Sequence, residues 1–290
     1  MTAMYTITND KTGRKKYRLT DETIDVNGHR LFRIRALRRV GGINKGALGG
    51  YVESESNLSH DGESWVEDKA CVYGSARVLG NATVGDDAMV FCGAIVGDNA
   101  RILGKSRVYG SAMVYGNATV GCNAMVYDKA RVYGDATLLD SARVFECANV
   151  RGLAYIHGNA SVCGKSNIGG NVSVSESATV CGDAWVSGSA SVYGHAFVGG
   201  NANVSGEVEI CNDAHVDDNS CYMSFKNIWS SYRWVTCFKE KDGAVRFVAG
   251  CFSGTGKDLV KKAYLDSKLS GDCYKEIVRA ANRMFRLVAK

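Results

Sequence analysis

The sequence of 290 residues contains no proline. Proline cannot donate a backbone hydrogen bond, so its absence removes the residue that most readily interrupts a strand ladder. No apolar run approaches the roughly 20 residues of a membrane-spanning helix, and the N-terminus MTAMYTITNDKTGRKK lacks the apolar core of a secretion signal. We therefore expect a soluble, cytoplasmic protein with no membrane contact.

Recognisable metal and cofactor motifs are also lacking. The eleven cysteines are odd in number and scattered, and no two form a Cys-x-x-Cys pair, so they indicate reduced thiols and not a zinc site. Cys163 and Cys181, eighteen positions apart, form a pair that oxidation could bridge. With no phosphate loop, serine nucleophile elbow or paired-carboxylate cleft, we predict no metal and no cofactor.

The net charge of +5 is unevenly distributed. Residues 1–64 carry 11 basic and 8 acidic groups, residues 65–220 carry 10 and 16, and residues 221–290 carry 14 and 6. The acidic middle makes a nucleic acid along it unlikely as a partner, whereas the basic C-terminal segment suits an anionic partner.

An aliphatic residue stands at every sixth position from Val66 to Val216, 26 times without an insertion or deletion. This position, which we number one, is Val except at Ile102, Leu138, Ile156, Ile168 and Ile210. Position five is Ala except at Ser106, Ser166, Val172 and Val208. Positions three and four are rich in Gly, Asn, Asp and Ser, which tolerate a left-handed corner, and position six should point outward. Each hexad predicts one short strand and one corner, and the fixed period predicts a solenoid.

Units such as RVYGSA, MVYGNA and SVYGHA resemble the hexapeptide-repeat family. The resemblance implies a left-handed parallel β-helix with three hexads per coil, and hence between eight and nine coils. The strings LFRIRAL (31–37) and GGYVE (49–53), followed by Asn57-Leu58-Ser59 and Trp65-Val66, are similar to a lineage of bacterial and phage-borne hexapeptide proteins. Its members are labelled acyltransferase-like, and the resemblance covers residues of about 17 to 216.

The predicted fold is mainly β and has three segments. Residues 1–64 form a β cap, with a strand at Tyr5-Thr6-Ile7 and a hairpin at Asn27-Gly28. Residues 65–220 form the β-helix. Residues 221–290 form an α+β module with a hairpin around Lys241-Asp242-Gly243, a helix of about 256–268 capped by Thr255, and a second helix of about 272–289.

Sorting the outward positions by every eighteenth residue reveals an aromatic corner. It contains Tyr73, Phe91, Tyr109, Tyr127 and Phe145, and the flat faces beside it contribute Met89, Met125, Ile95 and Met113. The rings could form a self-stacking ladder that only stabilises the corner. Contiguous aromatic and Met side chains are also typical of interfaces, so we predict self-association, most simply as a trimer, or a partner protein at this corner.

Two groups of basic residues are candidates for binding a small anionic ligand. Lys275, Arg279 and Arg283 recur at every fourth position of the last predicted helix, and Arg33 and Arg35 share a face with Leu31 and Leu37 in the cap. Either group could instead be an ordinary solvated or cap-covering face.

Enzymes of the hexapeptide family are typically trimers that use a histidine base in a cleft between subunits, and they commonly extrude a loop to build it. These hexads extrude none. His195, with Asp213 one coil later, is the best catalytic candidate, and His157 with Asp140 is the next; an ordinary surface contact is the alternative for both.

Two functions are therefore expected. The first is a non-catalytic, trimeric scaffold that binds a partner protein or a small anionic ligand; the phage-borne relatives would fit an inhibitor of a host defence. The second is an acyltransferase with its active site between subunits.

Overall fold

The computed structural model describes residues 15–288, so the predicted strand at Tyr5-Thr6-Ile7 lies outside the described part. The chain divides into two compact units, residues 1–135 and 136–290. This boundary falls within the run of hexads. Both units are mainly β, and together they hold about nine turns of a parallel β-solenoid, compatible with a hexapeptide-repeat β-helix.

Three antiparallel strands open the described part of the first unit. They are β1 (Tyr17–Val26), β2 (His29–Ala36) and β3 (Leu48–Val52), with a 3₁₀ turn at Glu55–Asn57. The predicted hairpin is confirmed, because Asn27 and Gly28 have φ of 52° and 84°, as a two-residue type I′ turn requires.

The pattern of burial along β2 differs from the predicted alternation. Leu31 is buried, as are Ile34 and Ala36, since the pairing with β3 shifts register between Arg33 and Arg35. The irregularity moves the buried face by one residue. The predicted face shared by both arginines with Leu31 is therefore not one face.

Each hexad of the first unit contributes a strand of two residues, formed by positions six and one. These strands are β4 (Trp65–Val66), β5 (Cys71–Val72), β6 (Arg77–Val78), β7 (Thr83–Val84), β8 (Met89–Val90), β9 (Ile95–Val96), β10 (Arg101–Ile102), β11 (Arg107–Val108), β12 (Met113–Val114), β13 (Thr119–Val120), β14 (Met125–Val126) and β15 (Arg131–Val132). They form three parallel sheets, β5-β8-β11-β14, β4-β7-β10-β13 and β6-β9-β12-β15. Every strand pairs with the strand three hexads away, as Met89 does with Arg107.

The hexads of the second unit repeat this arrangement. Their strands are β16 (Thr137–Leu138), β17 (Arg143–Val144), β18 (Asn149–Val150), β19 (Tyr155–Ile156), β20 (Ser161–Val162), β21 (Asn167–Ile168), β22 (Ser173–Val174), β23 (Thr179–Val180), β24 (Trp185–Val186), β25 (Ser191–Val192), β26 (Phe197–Val198), β27 (Asn203–Val204), β28 (Glu209–Ile210) and β29 (His215–Val216). The three sheets are β17-β20-β23-β26-β29, β16-β19-β22-β25-β28 and β18-β21-β24-β27.

The predicted core positions are confirmed in both units. Every residue at position one is fully buried, and so are the alanines at position five from Ala70 to Ala202. Ser106 fits at position five because its hydroxyl donates to the carbonyl of Leu103 at 2.7 Å. Such a bond removes the cost of burying a hydroxyl group.

The left-handed corner lies at position three alone. All position-three residues from Asp68 to Asn212 have positive φ, whereas no described residue at position four does. Several acidic side chains at these corners accept a hydrogen bond from the backbone one coil later: Asp86 from Gly104 N at 2.7 Å, and Asp140 from Gly158 N at 3.0 Å. The carboxylates thus satisfy corner N–H groups, which accounts for part of the acidic charge of the hexads.

The second unit ends in an antiparallel sheet and two helices. Its elements are β30 (Tyr222–Lys226), β31 (Trp234–Lys239), β32 (Val245–Ala249), β33 (Phe252–Thr255), α1 (Gly256–Asp266) and α2 (Lys268–Val288). The predicted hairpin is the β31–β32 pair, and Thr255 caps α1 by accepting from Asp258 N at 3.2 Å. The outer strands β30 and β33 were not predicted, and α2 begins four residues before Asp272. No helix within residues 15–288 has the length and apolarity needed to cross a bilayer.

Candidate functional site

The aromatic corner of the first unit is a stack of parallel rings. Ring centroids are 5.1 Å apart for Tyr73 and Phe91, 4.9 Å for Phe91 and Tyr109, and 4.9 Å for Tyr109 and Tyr127, with planes within 5° of parallel. These distances follow from the spacing of paired strands, about 4.8 Å. Phe145, in the second unit, is half-buried there. The rings therefore do stack on one another, as one of the two interpretations of this corner requires.

The first ring of the stack is covered by the chain itself. Tyr73 is only 3% exposed, and its hydroxyl accepts a hydrogen bond from Asn27 Nδ2 at 3.1 Å. The ring of His29 lies 4.9 Å from it, and Leu31 packs in the same cluster. The accessible part of the stack in this unit therefore begins at Phe91. Tyr73, which was predicted as an interface residue, is instead buried against the strands β1 and β2 of the same chain.

The apolar residues beside the stack lie on two sheets. Met89 and Met125 occupy β8 and β14 on one side, and Ile95 and Met113 occupy β9 and β12 on the other. All four side chains are half-buried. We call the surface formed by Phe91, Tyr109, Tyr127, Met89, Met125, Ile95 and Met113 the apolar corner.

A second ring stack, which the sequence reasoning missed, lies beside the sheet that contains β9 and β12. Tyr115 and Tyr133 have centroids 4.9 Å apart and planes within 4° of parallel. Tyr109 precedes β12 and Tyr115 follows it, so the sheet containing β12 has aromatic residues at both edges. The spacing of three hexads between the two tyrosines was the signal that could have revealed this stack.

A ladder of amides runs along the first unit beside Tyr115 and Tyr133. Asn81 donates to Asn99 at 3.1 Å, Asn99 to Asn117 at 3.1 Å, and Asn117 to the carboxylate of Asp135 at 2.8 Å. These exposed side chains satisfy one another in a single direction, which stabilises the corner. The sequence analysis did not identify this ladder.

The proposed catalytic pair is not assembled. His195 and Asp213 are both exposed, and within residues 15–288 the structure has no ion pair or hydrogen bond between their side chains. The main chain of each is used in the fold: His195 N donates to Asn212 O at 2.8 Å, and Asp213 O accepts from Lys241 N at 3.2 Å.

His157 lies closer to a carboxylate than His195 does. Its Nδ1 is 3.9 Å from Asp140 Oδ2, beyond hydrogen-bond distance, and its ring stacks on Tyr155 with centroids 4.3 Å apart. The same Asp140 oxygen already accepts from Gly158 N. Asp140 therefore has a structural partner in the backbone, while no side chain of the described part of the molecule orients the imidazole of His157 by a hydrogen bond.

The two candidate arginines of the cap, Arg33 and Arg35, differ in their hydrogen-bond partners. Arg33 Nη1 lies 2.8 Å from Glu22 Oε1, and Arg33 Nε donates to Gly49 O at 3.1 Å. The hydrogen bond from Arg33, followed by that from Tyr51, lowers the pKa of the Glu22 carboxyl. The buried Nε of Arg35, in contrast, has no hydrogen-bond partner among residues 15–288.

The three predicted basic residues of α2 are all exposed, but they do not form one site. Arg279 lies 3.3 Å from Glu276 and lines a groove of about 420 Å³. The groove is also lined by Lys239 and Arg286, and by neither Lys275 nor Arg283. The sequence reasoning missed this groove because its walls come from β31, β32 and α2, whose lining residues are distant from one another in sequence.

All eleven cysteines are free thiols. Cys163 is half-buried, and burial followed by the neighbouring Cys181 raises its pKa to about 12.

A cluster of potential metal ligands follows the last hexad. Its ligand atoms, from Asp217, Asp218 and Cys221, lie within 4.8 Å of one another. Burial raises the pKa of the Cys221 thiol, which donates to Asp217 Oδ1 at 3.2 Å.

No protein-family model matches this chain, and comparison with curated proteins finds no match either. The fold and the ring stacks define the protein as a parallel β-solenoid with an apolar corner.

Proposed function

We propose that the protein is a non-catalytic scaffold that self-associates through the apolar corner and uses its C-terminal module to bind a small anionic ligand. The observation that carries the proposal is the set of half-buried rings and aliphatic side chains on adjoining surfaces of the first unit. Stacking covers the ring faces but leaves this surface partly open to water. Burial of such a contiguous surface against another chain is favourable.

A trimer fits the two ring stacks better than a dimer. A twofold dimer joins one patch to its own copy, whereas a closed ring of three chains joins two different patches on each chain. The first unit presents two aromatic surfaces, at Tyr109–Tyr127 and at Tyr115–Tyr133. Exposed Arg131 lies on the strand next to that of Met113 and would occupy a charged rim. Exposed Arg107 lies on the strand between those of Met89 and Met125, so its guanidinium group interrupts the apolar surface on that sheet.

The N-terminal resemblance to phage-borne proteins supports a host protein as a further partner, and the free thiols support a cytoplasmic location. The acyltransferase alternative rests on the family resemblance alone. It predicts turnover of an acyl donor that is lost in His195→Ala, whereas the scaffold predicts no such turnover.

Size-exclusion chromatography with light scattering tests self-association. We expect a trimer at micromolar concentration for the wild type and a monomer for the double variant Tyr109→Glu, Tyr127→Glu. The buried charges would make association unfavourable. The control is Tyr155→Glu, which changes a tyrosine of the second unit that is 39% exposed, and which should remain trimeric.

Circular dichroism melts of the variants would establish that they are folded. A monomeric wild type, or a trimer that survives the double substitution with its fold intact, would refute the proposal.

A further inference from the structure

The groove in the C-terminal module carries three cationic side chains from two elements that are distant in sequence. Lys239 ends β31, while Arg279 and Arg286 lie on α2, and Asn282 stands between the two arginines. The residues of α2 are separated by three and four positions, so they share one face of the helix.

The positive charge of this groove is only partly compensated by nearby carboxylates. Within residues 15–288, no carboxylate oxygen forms an ion pair with Lys239 or Arg286. Glu240, next to Lys239, is held by Arg246 at 2.6 Å. Glu276 lies 3.3 Å from Arg279, and the two side chains are 67% and 73% exposed, so this pair is weak and easily displaced.

We propose that this groove binds a small molecule with two linked phosphate groups. Arg279 and Arg286 are seven residues apart, or about 10.5 Å along the helix axis. Because their side chains start from different turns of the helix, two linked phosphates give each guanidinium group oxygens of its own to bind, whereas a single phosphate must be shared between them. Arg binds phosphate oxygens through paired N–H donors, and Lys239 adds a third cation from the opposite wall.

The proposal refines the ligand-binding role proposed above for the C-terminal module and does not depend on self-association. It also replaces the predicted row of Lys275, Arg279 and Arg283, of which only Arg279 lines the groove. Arg286 lies in the last turn of α2, where a cation also stabilises the helix dipole. A binding measurement separates the two roles, because the dipole interaction needs no ligand.

The test is isothermal titration of the full chain with inorganic pyrophosphate at low salt. We expect saturable binding that is about tenfold tighter than for orthophosphate and that weakens as salt is added. Arg286→Gln and Lys239→Gln should each weaken it about tenfold. Arg283→Gln, on the same helix but outside the groove, should change it by less than about twofold.

A fourth variant should strengthen binding. Glu276→Gln removes the carboxylate beside Arg279, so the guanidinium becomes available and the Kd for pyrophosphate should fall. Loss of a purely structural contact would not produce this gain.

Three results would each overturn the assignment: no saturable binding, equal affinity for both phosphates, or equal weakening by Arg283→Gln and Arg286→Gln. Light scattering on the same samples reports the oligomeric state, so failure of the groove and failure of self-association are distinguishable.

Discussion

The buried side chain of Lys16 should make the free energy of unfolding increase with pH above neutrality. Its side chain is fully buried, and Nζ donates to Ser64 O at 2.7 Å and to Ser64 Oγ at 3.0 Å. Burial, and next the positive charge of Arg38, lower the pKa of this lysine from 10.5 to about 7. The folded protein thus holds this amine mostly neutral at mildly alkaline pH, while the unfolded chain holds it charged.

The direction of this pH dependence follows from the number of protons that Lys16 binds in the folded and in the unfolded state. Between pH 7 and 10.5 the unfolded state binds more protons at this group than the folded state, so stability rises with pH across that window. One pKa unit corresponds to about 1.4 kcal/mol. Between pH 7.5 and 9.0, Lys16 should therefore add about 2 kcal/mol to the free energy of unfolding.

The comparison of wild type with Lys16→Met isolates this contribution, because methionine has a similar length and no charge. Urea unfolding at pH 7.5 and 9.0 should show the difference between the two proteins shifting by about 2 kcal/mol in favour of the wild type as pH rises. Lys15→Met is the matched control, since Lys15 is exposed and pairs with Glu55 at 2.6 Å. It should show no such change.

The ¹³Cε resonance of Lys16 gives the pKa directly in labelled protein. A midpoint above about 9.5 would be close to that of an ordinary lysine. It would refute the reasoning, as would equal pH dependence of wild type and Lys16→Met.

Three further predictions concern the solenoid. Ala118→Leu should lower the free energy of unfolding by about 1–3 kcal/mol or more, because position five is fully buried; an unchanged melting temperature would contradict this. Gly164→Ala should lower the melting temperature, since an added Cβ would lie 2.5 Å from the nitrogen of Gly182, whereas Gly97→Ala should not, because nothing lies within 4 Å of the added atom. Iodoacetamide at pH 8 should alkylate Cys163 more slowly than the exposed thiols, as read by mass spectrometry, because its pKa is raised to about 12. The exposed thiols are Cys92, Cys122, Cys147 and Cys251.

Local sequence patterns predicted the fold well wherever one residue type had one role. Val at position one and Ala at position five occur every six residues, so core and strand follow directly. Gly and Asp mark the corners, but the sequence reasoning treated positions three and four alike. Glycine stands at 15 of the 25 position-three sites from Asp68 to Asn212 and at position four only at Gly93, and this difference was the signal for the left-handed residue. The register shift in β2 was missed, since bulges depend on pairing with β3 and not on the residues of β2 alone.

Contacts between surface side chains were predictable only where the eighteen-residue spacing of one coil determines which residues are neighbours. It places Phe91 beside Tyr109 without further information, and the same sorting would have paired Tyr115 with Tyr133. Burial of Tyr73 by Asn27 depends on residues 46 positions apart, which no period relates. The same holds for the groove, where Lys239 and Arg286 come from separate elements.

The pairing of each strand with the one three hexads later determines which changes in chain length the solenoid can tolerate. Insertion of three hexads after Gly97 would leave both Tyr109 and Phe91 on the same corner, separated by one added coil. Insertion of one hexad would preserve every buried Val and Ala but would move Tyr109 and Tyr127 to the next corner, away from Phe91. Gain or loss of a single hexad therefore leaves the packing of the core unchanged but separates the stacked side chains on the surface. Natural variants of this protein should for this reason differ in length by whole coils.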